Sequence, residues 1–213
     1  MNWALNNFSR LMELFWEHTV LATIPTVLGL LIAVPLGLLL NDGRSGRRIA
    51  VALASVAFTI PSLALFVTIP TLIGTQILDP INVIAALTLY SAALTLRSVF
   101  DSLDAVDSSV RDAAQASGFS RLSRAVFVDL PLAVPVLTAG LRVACATNVS
   151  LVSVGAVIGV GGLGELFTSG YQRSYPDQIF AGILAIMVLA FILDRLIAAA
   201  GWLLTPWERA HAG

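Results

Sequence analysis

The sequence predicts an all-α integral membrane protein with about five spans, and three observations carry that expectation. Hydrophobic residues make up 57% of the 213-residue chain and charged residues only 12%, about half the share usual in soluble domains. Mean hydropathy is +0.88. The charges are also clustered, which leaves apolar blocks longer than the ~20 residues a membrane helix needs.

Taken in order, Thr19 to Leu40 is uncharged and gives a first span over 19–40. Ahead of it, Trp3 to Trp16 mixes aromatic and leucine residues with polar ones. That stretch is expected to lie along the outer interface or to fray. It lacks the positive n-region and cleavage site of a signal peptide, so the first apolar run is expected to stay in the mature protein. Residues 49–78 carry no charge and would extend about 45 Å as one helix. A span over 49–70 is therefore expected, with Pro61 as a kink and Pro70 as its exit. A third span is expected over 80–100. The block from Leu130 to Gly164 holds only Arg142, and reads as a span over 132–154 followed by a glycine-rich segment. The last span is expected over 178–204, with Trp202 and Trp207 suited to an interfacial belt. All of this makes one transmembrane domain over 1–213.

Arginine placement predicts orientation, because cytoplasmic loops are enriched in positive residues. The 41–48 loop carries Arg44, Arg47 and Arg48, and the 101–130 loop carries Arg111, Arg121 and Arg124. The 71–79 loop has no arginine and the 165–177 loop only Arg173. Alternation then puts the N-terminus outside and the C-terminus in the cytoplasm.

Several classes of chemistry find no support. All twelve basic residues are arginine, so no phosphate loop ending in Gly-Lys-Ser/Thr exists and the chain is not expected to hydrolyse ATP itself. Cys145 stands alone, and His18 and His211 lie near opposite ends and form no metal-ligand cluster. No Ser/His/Asp or Cys/His set is credible, so no catalytic residue and no metal site is expected. "GVGGLG" at 159–164 satisfies G-x-G-x-x-G through Gly159, Gly161 and Gly164, but no strand precedes it and no second βαβ unit exists, so a dinucleotide site is rejected.

The 101–130 loop is the one polar island. Ser109-x-x-Asp112 matches a capping box, so a helix is expected to begin near Ser109. Ala113, Ala114 and Ala116 favour helix and leave a small-residue face. Gly118 is placed to end it in a left-handed conformation. Ser120 can cap a second short helix running to about Val128, and Pro131 suits the first turn of the next membrane helix. A helix–Gly–helix pattern also suggests DNA binding. Between Asp101 and Asp129, however, three arginines face five aspartates, a net charge of −2, whereas DNA binding needs a positive footprint.

This loop resembles the signature of permease subunits of bacterial ABC importers. The family pattern is Glu-Ala-Ala, three residues, Gly, nine residues, Ile-x-Leu-Pro. Here Asp112-Ala113-Ala114 is followed at the same spacings by Gly118 and by Val128-Asp129-Leu130-Pro131. "FTIPSLALF" at 58–66, "GVGGLGELF" and the short five-span chain are most similar to osmoprotectant permeases for glycine betaine, choline and carnitine. "GYQRS" at 170–174 is also similar to methionine permeases, which makes methionine or another amino acid the alternative substrate.

The resemblance implies a type I ABC importer permease fold in the bacterial cytoplasmic (inner) membrane. It implies that Asp112, Ala113, Ala114, Gly118, Leu130 and Pro131 form a cytoplasmic coupling helix and its flank, docking on ATP-binding cassette ATPase subunits that hold ATP and Mg. A second permease, identical or paralogous, and an extracytoplasmic substrate-binding protein are the other implied partners, with membrane lipid around them and no nucleic acid. Candidates for the translocation path are Arg142, which could line it or pair with Asp194, the aromatics Tyr90 and Phe66, and Gly161, Gly162 and Gly164 at the outer end of the fourth span. For each the plainer reading is structural: snorkelling for Arg142, and packing for the aromatics and glycines. A membrane anchor or a channel working without ATP is the alternative from a different class.

Overall fold

The computed structural model describes residues 2–41 and 43–207. The end of "LLTPWERA" at 208–210, His211 and the C-terminus itself lie outside the described residues. Among the described residues there is no strand. Four helices are long and apolar enough to cross a membrane, and a bent pair of shorter helices reaches that length and composition only when its two arms are taken together.

A short helix α1 (Asn2–Asn6) leads into α2 (Phe8–Leu40), which is 33 residues long. The stretch Trp3–Trp16 is helical, with α1 ending at Asn6 and α2 beginning at Phe8, and part of it packs on the bundle. Leu11, Leu14, Phe15 and His18 follow the i, i+3, i+4, i+7 spacing of one helical face, so the stripe of the first span simply continues toward the N-terminus. Leu14 and His18 are fully buried, and Leu11 and Phe15 pack against the same core.

Helix α3 (Arg44–Thr59) and α4 (Ser62–Ile73) replace the single kinked span expected over 49–70, and the break between them turns the chain by 102°. Pro61 lacks an N–H and disfavours helical geometry at the residue before it. Ile60 is accordingly extended, with φ −69° and ψ 129°. The Tyr90 hydroxyl donates to the Ile60 carbonyl at the break, so the carbonyl released by the turn is satisfied. Pro70 is no exit either. It lies inside α4, which closes at Gly74 with φ 74°.

Helix α5 (Pro80–Asp104) is the central element, capped by the Asp79 carboxylate accepting from the Ile81 N–H. Gly29, Ala33 and Gly37 present a small-residue face of α2 toward it. A Cβ at Gly29 would stand 2.6 Å from Ser91 Cβ, and one at Gly37 only 2.3 Å from Val99 Cγ1. Small residues let helix backbones approach where lipid supplies no hydrophobic drive for association. After α6 (Ser108–Ala116), α7 (Arg121–Arg124) leads through a π-helical turn at Ala125–Asp129 into α8 (Leu130–Gly155). The second short helix is thus not separate: the chain is helical without interruption over Arg121–Ile158. Two 3₁₀ turns, Ala156–Ile158 and Gly162–Gly164, precede α9 (Glu165–Gln172) and α10 (Pro176–Leu204).

The core falls into two clusters. One gathers Leu14, Phe66, Leu87, Val149, Leu163 and Leu189. The other, nearer the 101–130 loop, gathers Ala33, Leu96, Phe100, Leu103 and Leu137. Buried polar groups are tied across helices: Asn148 Nδ2 donates to Thr26 Oγ1 at 2.8 Å, and His18 Nε2 lies 2.9 Å from the Val149 carbonyl oxygen.

Candidate functional site

The 101–130 segment hangs from the ends of α5 and α8. Helix α6 starts one residue before the expected Ser109, and its cap is Asp107, not the Ser109–Asp112 box. The Asp107 carboxylate accepts from the Ser109 N–H at 2.8 Å. That bond favours the ionised form and holds the Asp107 carboxyl below the usual carboxylate range. Asp112, one turn further on, is exposed.

The other end of α6 closes as a full Schellman motif. The Phe119 N–H donates to Ala114 O at 3.1 Å and the Gly118 N–H to Gln115 O at 3.0 Å, the 6→1 and 5→2 pair that requires a left-handed residue between. Gly118 supplies it with φ 86°. A Cβ there would meet nothing within 4 Å. Ser120 then caps α7 by accepting from the Ser123 N–H at 3.2 Å.

Of α6, only Ala114 is buried against the bundle, while Asp112, Ala113 and Ala116 face outward. Phe119 is exposed and Leu122 is 64% exposed beside them. Outside the apolar spans, a cluster of small residues and exposed apolar side chains is the composition of a contact surface. Leu130 and Pro131 are half-buried at the root of α8.

A residue the sequence reading passed over sits between these parts. Asp129 is 1% exposed and takes two arginines: Arg124 Nε at 3.2 Å from Oδ2 and Arg111 Nε at 3.4 Å from Oδ1. Arg111 Nη2 also donates to the Leu103 carbonyl in the last turn of α5. Beside it, Arg47 pairs with both carboxylate oxygens of Asp104, at 2.8 and 2.5 Å, and lies 4.8 Å over the Phe100 ring. No motif marks Asp129, which falls at the unspecified position of Ile-x-Leu-Pro. Only the rarity of an acidic residue next to an apolar span could have raised it.

Within the bundle, Arg142 binds Asp194 in two places, Nε to Oδ1 at 2.5 Å and Nη2 to Oδ2 at 3.0 Å, and Arg195 shares the same carboxylate. Arg142 follows Leu130 by twelve residues, which places it about 18 Å along α8. Its side chain is 36% exposed in the single chain. Phe66 is buried in the core, and Tyr90 is buried with its hydroxyl engaged at the α3–α4 break and its ring edge-on to Phe58 at 5.5 Å. Gly161, Gly162 and Gly164 fold back onto neighbouring helices. Cβ atoms there would stand 2.2 Å from Ala156 N, 2.8 Å from His18 Cα and 2.6 Å from Ser153 O respectively. Gly162 also has φ 48°. The structure thus brings Asp112, Ala113, Ala114 and Gly118 together on α6 and its cap, with Leu130 and Pro131 near Asp129. Phe66 and Tyr90 share their core cluster with Leu163, which stands between Gly162 and Gly164, while Arg142 is tied to Asp194 of α10.

Comparison with known proteins agrees with this geometry. A family model described as binding-protein-dependent transport system inner membrane component matches residues 19–200. The osmoprotectant import permease protein OsmW of Salmonella typhimurium is 34% identical over 209 residues, 97% of each chain. The choline transport system permease protein OpuBB of Bacillus subtilis is 30% identical over 94% of this chain and 91% of its own. Among solved structures, an inward-facing form of the MetNI methionine ABC transporter superposes with a TM-score of 0.76 at 27% identity, covering 93% of this chain and 95% of that one.

Proposed function

The chain belongs to the family of binding-protein-dependent transport system inner membrane components, and from that premise we propose that it is the permease subunit of an ATP-driven ABC importer for quaternary-amine osmoprotectants such as glycine betaine, choline and carnitine. The observation that carries this reading is α6: a short helix, capped at both ends, that presents Ala113, Ala116 and the open Gly118 turn away from the bundle. It is the coupling helix. ATP and Mg are bound by the partner ATPase, and this chain supplies half of the translocation path to a second permease, identical or paralogous.

The ends of the bundle support the orientation. Arg47 with Asp104 links the two arginine-rich loops at one end, and Arg10 with Glu165 at 2.7 Å joins α2 to α9 at the other. The first end faces the cytoplasm and the second, with the N-terminus and the glycine-rich turn, faces the binding protein. Transport follows by alternating access: closure of the ATPase dimer displaces α6, and the helix bundles tilt from inward-open to outward-open. Phe66 and Tyr90, buried in the core, and the close-packed glycines shape the path from behind, while Arg142 is the residue proposed to line it at mid-membrane depth. A charge there is costly against lipid, so its exposed part belongs against water or the second permease.

The test is competitive uptake by the complex reconstituted with its ATPase and binding protein. Uptake of labelled glycine betaine that requires ATP and is competed by choline or carnitine is the expected result. Competition by methionine alone, or flux through the permease without the ATPase, would overturn it.

A further inference from the structure

The Asp129 carboxylate is buried next to a helix that must move, and nothing in the coupling motif accounts for it. We propose that Arg111, Asp129 and Arg124 form a clamp that makes α6 and the root of α8 move as one body, so that Asp129 and Arg111 are positioning residues for coupling. The proposal rests on the reading of α6 as the coupling helix.

Three features carry it. First, α6 has little else to hold it: apart from Arg111 only Ala114 packs inward, and α6 joins α7 through the short turn at 117–120. A helix tethered by a turn would pivot under load and not transmit it. The charge contact at 3.4 Å, whose facing atoms Arg111 Nε and Asp129 Oδ1 make no hydrogen bond, is an electrostatic cross-link, and the Arg111 bond to Leu103 O ties α6 to α5.

Second, the π-helical turn aims Asp129. The Leu130 N–H bonds five residues back to Ala125 O, so one extra residue is accommodated in the turn. Every later side chain is thereby rotated by about 100° from its position on an uninterrupted α-helix. Asp129 closes the turn itself, and the same five-residue stacking sets its carboxylate 3.2 Å from Arg124 Nε. A carboxylate so deeply buried needs such partners.

Third, α8 is continuous from the clamp to the intramembrane ion pair. Arg142 lies thirteen residues beyond Asp129, about 20 Å along one helix, and is locked to Asp194 of α10. A displacement of α6 carried by the clamp therefore reaches α8, and through the Arg142–Asp194 pair reaches α10.

The experiment compares basal ATPase activity with that stimulated by glycine betaine-loaded binding protein, in proteoliposomes of the whole complex. Asp129→Asn and Arg111→Gln are each expected to keep co-purification with the ATPase, because the outward face of α6 is untouched. Both are expected to lower stimulation and uptake per ATP by roughly 5- to 150-fold, the usual range for coupling between distant sites. Asp129→Glu, which keeps the charge, is expected to recover much of the loss. Arg111→Gln leaves the Arg124–Asp129 pair in place, so it serves if Asp129→Asn does not assemble. Wild-type stimulation in Arg111→Gln, or equal loss in Asp129→Glu and Asp129→Asn, would overturn the clamp. Failure of the wild-type chain to bind an ATPase or to respond to loaded binding protein would instead overturn the functional reading beneath it.

Discussion

Replacement of Gly118 separates the torsional role of this residue from its role in docking. The backbone there is left-handed, with φ 86°, and a Cβ would have nothing within 4 Å inside the chain. Alanine therefore adds no internal clash. Its cost is the conformation alone, about 1–2 kcal/mol for an L-residue in the left-handed region. Asparagine tolerates that region better and pays less. Against a total stability of about 5–15 kcal/mol, neither change prevents folding, and even tryptophan has open space to enter. Its Cβ, like that of alanine, meets nothing within 4 Å of the chain, so its indole is directed to the side where an ATPase groove would sit. The assay is ATP-driven uptake of labelled glycine betaine in proteoliposomes, normalised to permease inserted in the membrane. Gly118→Asn and Gly118→Ala are expected to insert normally and to lose uptake by no more than about 30-fold, the equilibrium factor for ~2 kcal/mol. Gly118→Trp is expected to insert equally well and to show no ATP-coupled uptake. Wild-type uptake in Gly118→Trp would refute the docking role. Failure of that variant to insert would refute the claim that the site is open within the chain.

Gly37→Leu should destabilise the bundle directly, since even its Cβ would collide with Val99. Overpacking of about 1–3 kcal/mol or more would appear as a lower melting temperature in detergent, with Leu39→Ala on the exposed side as the silent control. Tyr90→Phe removes the hydroxyl that satisfies Ile60 O and should cost about 1 kcal/mol in the same melting assay. If Tyr90 also contacts cargo, the variant will change the ratio of choline to glycine betaine uptake as well. For Asp107 the sign follows from its lowered pKa. The cap's contribution is fully present above the ordinary aspartate value and is lost only as pH falls through the lower folded one. Limited proteolysis of the 105–120 loop should thus be the same at pH 8 and pH 6, and Asp107→Ala should raise cleavage equally at both.

The sequence makes legible whatever depends on long runs and fixed spacings. Five apolar blocks, the arginine asymmetry and the Asp112–Gly118–Pro131 spacing are all patterns over many residues, so no single misreading hides them. The features it obscures depend on geometry that a pattern leaves open. Thirty uncharged residues are compatible with one kinked helix or two broken ones, and only the extended backbone at Ile60 and Pro61 decides for a 102° turn. The N-terminal residues carry enough polar side chains to look interfacial, yet Leu14 and His18 continue the buried stripe of α2. Ser109 and Asp112 satisfy a capping pattern, but Asp107 offers a carboxylate two residues earlier. Asp129 is only faintly marked, as an acidic residue beside an apolar span, and no spacing rule foretells the extra residue of the turn that it closes.

The small-residue face of α2 also sets a hazard during synthesis. Gly29, Ala33 and Gly37 have α5 as their partner in the finished bundle, but Val99 follows Leu40 by roughly sixty residues, some 3–12 s of translation at ~5–20 residues per second. For that interval a flat, sticky face stands open in the bilayer while α3 and α4 are being made. The sharp turn at Pro61 breaks the nearest apolar segment into two short rods, which makes it a poor substitute for the 25-residue α5. Until α5 arrives, α2 has no partner of the shape its two glycines fit.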